Sequence, residues 1–161
     1  MQVAGWLMAV AAVTWFAHDW LARESNPNRV PAVTASGEVV LKRGRGGHFM
    51  AGGTINGTPV QFMIDTGATQ IAIPRPLAER LKLKRGMPVE LLTAAGPSRG
   101  YSTRLGKVTL ATIEAKDVGA IIVDELHPDV VLLGMNFLRR LEIIQRGDEL
   151  TLRPPVPDRK S

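Results

Sequence analysis

The stretch Phe62-Met63-Ile64-Asp65-Thr66-Gly67-Ala68-Thr69 sets one carboxylate at the end of an apolar run. Thr66 supplies a hydroxyl beside it, and Gly67 permits a tight turn that brings backbone groups close to the acid. A carboxyl group in such a place can accept a proton from water or give one to a reacting group, which is the basis of general acid–base chemistry. Read from the residues alone, Asp followed by Thr-Gly at a strand end is also an ordinary turn.

Two other constellations compete with it and are weaker. Gly96-Pro97-Ser98-Arg99-Gly100 fits the G-x-S-x-G pattern of serine hydrolases, but that motif needs a strand before it and a helix after it. A β-like run, residues 101–105, follows instead. Asp124, Glu125, His127 and Asp129 offer oxygen and nitrogen ligands, yet their close spacing around Pro128 reads as a polar loop, not as a rigid metal cage. The sequence has no cysteine and three scattered histidines, so no thiolate or histidine cluster is on offer. No metal and no cofactor is expected. The net charge of +5 is carried by mostly single Lys and Arg residues without interleaved aromatics, which argues against a nucleic-acid platform.

The elements that must hold Asp65 can be read around it. In 161 residues there is room for one domain plus short appendages, and 16 Gly and 11 Pro spread among short Val, Ile, Leu and Thr runs indicate a mainly β fold. Asn56-Gly57 between apolar runs predicts a hairpin that delivers the chain to Asp65. Pro74 opens PRPLAERLKL, where Leu77, Leu81 and Leu83 predict a short helix. Strands are expected over 89–93, 101–105, 107–114 and 118–123, then the apolar run 130–133, a second helix from Met135, and a last hairpin turning at Arg146-Gly147-Asp148.

Residues 1–17 carry only Gln2 and Thr14 as polar side chains, with Trp15 and Trp20 near the end of the run. This predicts an uncleaved transmembrane anchor over residues 1–22, at the short end of spanning length. Residues 23–37, with Pro27 and Pro31 and no hydrophobic periodicity, are expected to be a flexible linker. The folded domain is then expected over 38–153, and 154–161 as a disordered tail. Lys and Arg around the anchor are too sparse to orient it by charge.

The Asp65-Thr66-Gly67-Ala68-Thr69 loop with its apolar lead-in resembles the active-site signature of the retropepsin-like aspartic proteases. The later segment Leu132-Leu133-Gly134-Met135-Asn136-Phe137-Leu138 is similar to the hydrophobic-hydrophobic-Gly segment and helix that thread against the active-site loop in that family. Together with the N-terminal apolar run, Asn26-Pro27-Asn28 and the closing LTLRP, these motifs resemble a bacterial membrane-anchored group of such proteases. The resemblance implies a closed β-barrel of acid-protease type with one or two short helices. It implies that Asp65 is catalytic, that Thr66, Gly67, Ala68, Thr69, Leu133 and Gly134 support its loop, and that Ala94, Ala95 and Gly96 form the tip of a substrate-binding flap. One such Asp in a chain of this length implies a homodimer acting on peptide or protein substrates. A bacterial inner-membrane location is implied as well, with the domain on the periplasmic side and the orientation left open. The alternative is a silent module of the same fold that serves dimerisation or peptide binding.

Overall fold

The computed structural model describes residues 26–93, 96–124 and 126–154. Among these residues, eleven strands and two short helices follow one another as β1 (Ala32–Val33), β2 (Val39–Lys42), β3 (Met50–Ile55), β4 (Thr58–Ile64), β5 (Ile71–Pro74), α1 (Arg75–Arg80), β6 (Pro88–Thr93), β7 (Gly96–Leu110), β8 (Ile113–Val123), β9 (Val130–Leu133), α2 (Met135–Leu138), β10 (Glu142–Arg146) and β11 (Glu149–Arg153). The larger sheet runs β3-β4-β9-β5-β8-β7-β6, and a further β3–β7 pairing closes its first six members into a barrel. Closure leaves no open edge among those six. A four-stranded sheet, β1-β2-β11-β10, accompanies it.

Local chemistry explains the main hairpins. Asn56 and Gly57 both adopt positive φ, 50° and 83°, which matches the twist of β3 against β4. Inward-facing Ile55, Phe62, Ile71, Ile73, Leu105, Leu110 and Leu133 are fully buried and fill the barrel. The long β7–β8 hairpin differs from the expected strand map. Its turn lies at Ala111-Thr112, with Ala111 at φ 50°, inside the run 107–114 that reads as one strand. The inward positions also change parity along it, from Leu105 to Val108 and Leu110, and from Ile113 and Ala115 to Val118, Ala120 and Ile122. The change falls at Gly106 and Asp117, the latter at φ 52°, where the ladder lacks a pair. Arg104 lies against Asp117 there and holds its carboxyl below its ordinary value. The hairpin therefore serves two partners: its base pairs with β5 and its far end with β3.

The linker expected over residues 23–37 is corrected from Asn26 onward. Asn26 and Asn28 are buried, and β1 pairs antiparallel with β2. The Asn28 amide donates to the carbonyls of Lys42 (2.7 Å) and Met50 (2.8 Å), and its Oδ1 accepts from Lys42 N–H (2.7 Å). Its backbone N–H reaches Asn26 Oδ1 (2.9 Å), and its carbonyl accepts from Gly52 (2.9 Å). A polar side chain can be buried this way because every donor and acceptor is matched. Asn28→Asp turns a carboxylate toward two carbonyls, and is expected to cost about 3 kcal/mol. The measurement is the urea midpoint of the full chain, which should fall with little change in slope. An unmoved midpoint would show that the clip carries no stability.

The expected anchor, residues 1–22, lies outside the described residues, as do 155–161 of the tail. Among the described residues, no helix is long and apolar enough to cross a membrane.

Candidate active site

Asp65 stands just past the end of β4, in a place defined by the order of the strands. β9 runs parallel to β4, with Gln61 opposite Val130 and Ile64 opposite Leu133. On its other side β9 meets β5 through Ala72 and Leu132. The chain therefore leaves β4, arches over the end of β9 as the loop 65–70, and returns as β5. Leu133 and Gly134 end up directly beneath the loop that carries Asp65.

The contacts between them are backbone hydrogen bonds. Asp65 N–H donates to Leu133 O (3.3 Å), Met135 N–H to Ala68 O (2.8 Å) and Asn136 N–H to Thr69 O (3.0 Å). The last two are first-turn N–H groups of α2, which have no partner inside the helix and find one in the loop carbonyls. Gly134 has extended backbone, so its need for glycine is one of space. A Cβ there would lie 2.3 Å from Gln70 O and 2.8 Å from Ala68 O. The sequence-predicted support residues Ala68, Thr69, Leu133 and Gly134 are thus brought together.

The carboxylate itself is half-buried, while Thr66 and Gly67 are exposed. Oδ1 accepts from Gly67 N–H at 2.8 Å, which leaves Oδ2 without a protein hydrogen bond among the described residues. A side chain at position 67 would crowd the same oxygen, since a Cβ would come within 3.2 Å of Oδ1. One oxygen is oriented and the other is available to water or to a second acid.

Past the Val123 end of β8, β6 and β7 form a hairpin in register from Pro88 opposite Tyr101 to Thr93 opposite Gly96. Its base is closed by Gly86 N–H to Ser102 O (2.7 Å) and Ser102 N–H to Met87 O (2.9 Å). Gly100 packs against β8, where a Cβ would lie 2.6 Å from Ile122 O. Of the expected tip residues, Gly96 is described, at φ 114°, and Ala94 and Ala95 lie outside the described residues.

The competing motifs come apart in three dimensions. Residues 96–100 lie within β7, with no helix after them, and Ser98 is buried. Asp124 pairs with Arg75 and Asp129 with Arg80 (2.8 Å), so both carboxylates are used to strap their loop to α1. Glu125 lies outside the described residues.

Comparison with known proteins bears on this geometry. The family model described as "gag-polyprotein putative aspartyl protease" matches residues 51–140, from β3 through α2. A solved retropepsin-like aspartic protease from Rickettsia conorii is 32% identical, with a TM-score of 0.61, over 72% of this chain and 89% of that one. The chain belongs to the retropepsin-like aspartic protease family. Two curated relatives also match. A Sinorhizobium protein described as uncharacterised, from the cobV 5′ region, is 34% identical over 134 residues, 79% of this chain and 58% of that protein. The uncharacterised RP867 of Rickettsia prowazekii (strain Madrid E) is 34% identical over 115 residues, 68% of this chain and 48% of that protein. The chain thus spans about half the length of these two relatives.

Within this retropepsin-like barrel, Asn136 is a site residue that the sequence reading did not single out. Its Oδ1 accepts from Ile71 N–H (3.1 Å) and its Nδ2 donates to Gly119 O (2.7 Å). One side chain thereby ties the loop's exit, β8 and α2 together. The available signal was an Asn two residues after the helix-opening glycine, where a short polar side chain can bond neighbouring backbone.

Proposed function

We propose that the chain is an aspartic endopeptidase whose working site contains two Asp65 carboxylates, one from each subunit of a homodimer. The observation that carries this reading is the single Asp65-Thr66-Gly67 loop, exposed at its tip and built on the retropepsin-like barrel, with one carboxylate oxygen that no described residue hydrogen-bonds. Peptide hydrolysis by carboxylates needs a pair that shares one proton. The ionised member takes a proton from water as the water oxygen attacks the carbonyl carbon, and the protonated member hydrogen-bonds the carbonyl oxygen. As that member gives its proton to the carbonyl oxygen, a diol forms. The first carboxyl then passes the water's proton to the amide nitrogen, and the second takes a proton back from a diol hydroxyl. The C–N bond breaks to leave acid and amine, and the pair again shares one proton. Thr66, Gly67, Ala68 and Thr69 hold each carboxylate's loop, and Leu133 and Gly134 hold the loop from below. Substrate is an extended peptide lying beneath the β6–β7 hairpin and passing Gly96, while the sequence-expected flap residues Ala94 and Ala95 lie outside the described residues. The chemistry calls for neither metal nor organic cofactor.

A membrane anchor in residues 1–22 belongs to the same proposal and rests on the apolar run alone. Tethering both copies to a bacterial inner membrane would raise their effective concentration and favour pairing. The testing experiment is cleavage of a peptide library by the full chain in detergent, across pH and protein concentration. The rate should be highest in acidic to mildly acidic buffer. Where monomers dominate, tenfold dilution should lower it by about 100-fold, because each monomer holds half a site. A rate strictly proportional to concentration through the monomer–dimer transition would overturn the two-subunit site.

A further inference from the structure

A cavity of about 450 Å³ adjoins the outgoing end of the Asp65 loop, and its charged walls are all of one sign. Gln70 forms one side, Lys84 and Arg85 another, and Ser102, Thr103 and Arg104 of β7 the floor. Among the described residues, no Asp or Glu lines it. Two of the three cations are held by acids outside the cavity: Arg85 pairs with Glu79 (2.9 Å) and lies 5.5 Å over the Tyr101 ring, and Arg104 pairs with Asp117. Lys84 differs from both. Its carbonyl is pinned by the Thr103 hydroxyl at 2.8 Å, while its ammonium makes no ion pair among the described residues. An ammonium offers three donors, the Gln70 amide adds two, and no acceptor of matching charge is present.

We infer that this cavity receives the carboxylate of an acidic substrate side chain, with Lys84 as its main partner and Gln70 as a second donor. The inference rests on the peptidase reading, and it places the acidic residue near the bond that is cut. Five residues of chain lead from Asp65 to Gln70, so the two lie no more than about 18 Å apart. An extended peptide advances about 3.3 Å per residue, which puts the acidic side chain within about five residues of the scissile bond.

The test uses peptides that vary Asp, Glu, Asn, Gln and Lys at each of those positions on both sides, with kcat/KM read for the full chain and for Lys84→Glu. One position should favour Glu or Asp over its amide by about fivefold, the scale of one solvent-facing ion pair. The preference should shrink as salt rises, and Lys84→Glu should turn it toward Lys. Binding of the same labelled peptides to Asp65→Asn separates this inference from the peptidase reading. If nothing is cleaved but the acidic preference persists in binding and inverts in the Lys84→Glu double variant, the cavity stands and the peptidase reading falls. No charge preference in either cleavage or binding, or a preference that Lys84→Glu leaves unchanged, overturns the inference.

Discussion

Asp65→Asn is expected to abolish peptide cleavage, by at least about 1,000-fold, while leaving the fold in place. The amide is nearly the size of the carboxyl, and its oxygen can still accept from Gly67 N–H, the hydrogen bond that orients the native side chain among the described residues. What it cannot do is ionise or pass a proton, and loss of a positioned acid–base group alone costs about 100- to 10,000-fold. The comparison is kcat/KM for the two proteins on the same peptides, with circular dichroism and the urea midpoint to show equal folding. Cleavage that persists in Asp65→Asn would place the chemistry elsewhere. If a confirmed wild-type dimer cleaves nothing, the silent-module alternative gains.

Gly134→Val is expected to prevent stable folding. A Cβ at this position would sit 2.3 Å from Gln70 O and 2.8 Å from Ala68 O, and both are backbone atoms held by the loop they belong to. Neither can swing aside as a side-chain tip could, so relief requires the loop to lift from β9 and α2. That breaks the bonds from Met135 to Ala68 and from Asn136 to Thr69, and uncovers Leu133. The cost should exceed about 4 kcal/mol, a large share of a domain's stability. Soluble yield and the urea midpoint measure it. A Gly134→Val protein as stable as the wild type would mean that the loop does not rest on this residue.

The parts of the fold that were legible in the sequence are those where local chemistry and tertiary placement agree. Asn56-Gly57 forms its hairpin because both residues tolerate positive φ, whatever surrounds them. The Asp65 loop and the Leu133-Gly134 segment were legible because a Gly with no room for a Cβ and an apolar lead-in leave a mark in residue type. The Ala111-Thr112 turn left none: a positive φ at Ala is imposed by the partners of β7 and β8 and has no preference of its own to announce it. Asn28 was noticed only as part of the Asn26-Pro27-Asn28 resemblance, and its own chemistry reads as one polar residue in a Pro-containing stretch. Only the carbonyls of Lys42 and Met50, brought to it by two other strands, turn it into a buried clip. The insertion of β9 between β4 and β5 is likewise a long-range fact: the composition of Val130–Leu133 shows only an apolar run, and its place against the Asp65 loop was expected from family resemblance and not from the residues themselves.

That insertion governs when the site can exist during synthesis. Asp65 emerges early, but the strand that must slot beneath its loop is made much later: Ile71 and Asn136, which share a hydrogen bond, are 65 positions apart. At roughly 5 to 20 residues per second, that interval lasts about 3 to 13 seconds. Throughout it the nascent chain carries Asp65 without its seat, so that the paired site proposed above could not form. On the peptidase reading proposed above, a polypeptide whose translation aborts before Leu133 would be inert toward its neighbours on the polysome, so that the threading order itself would act as a timer on the activity.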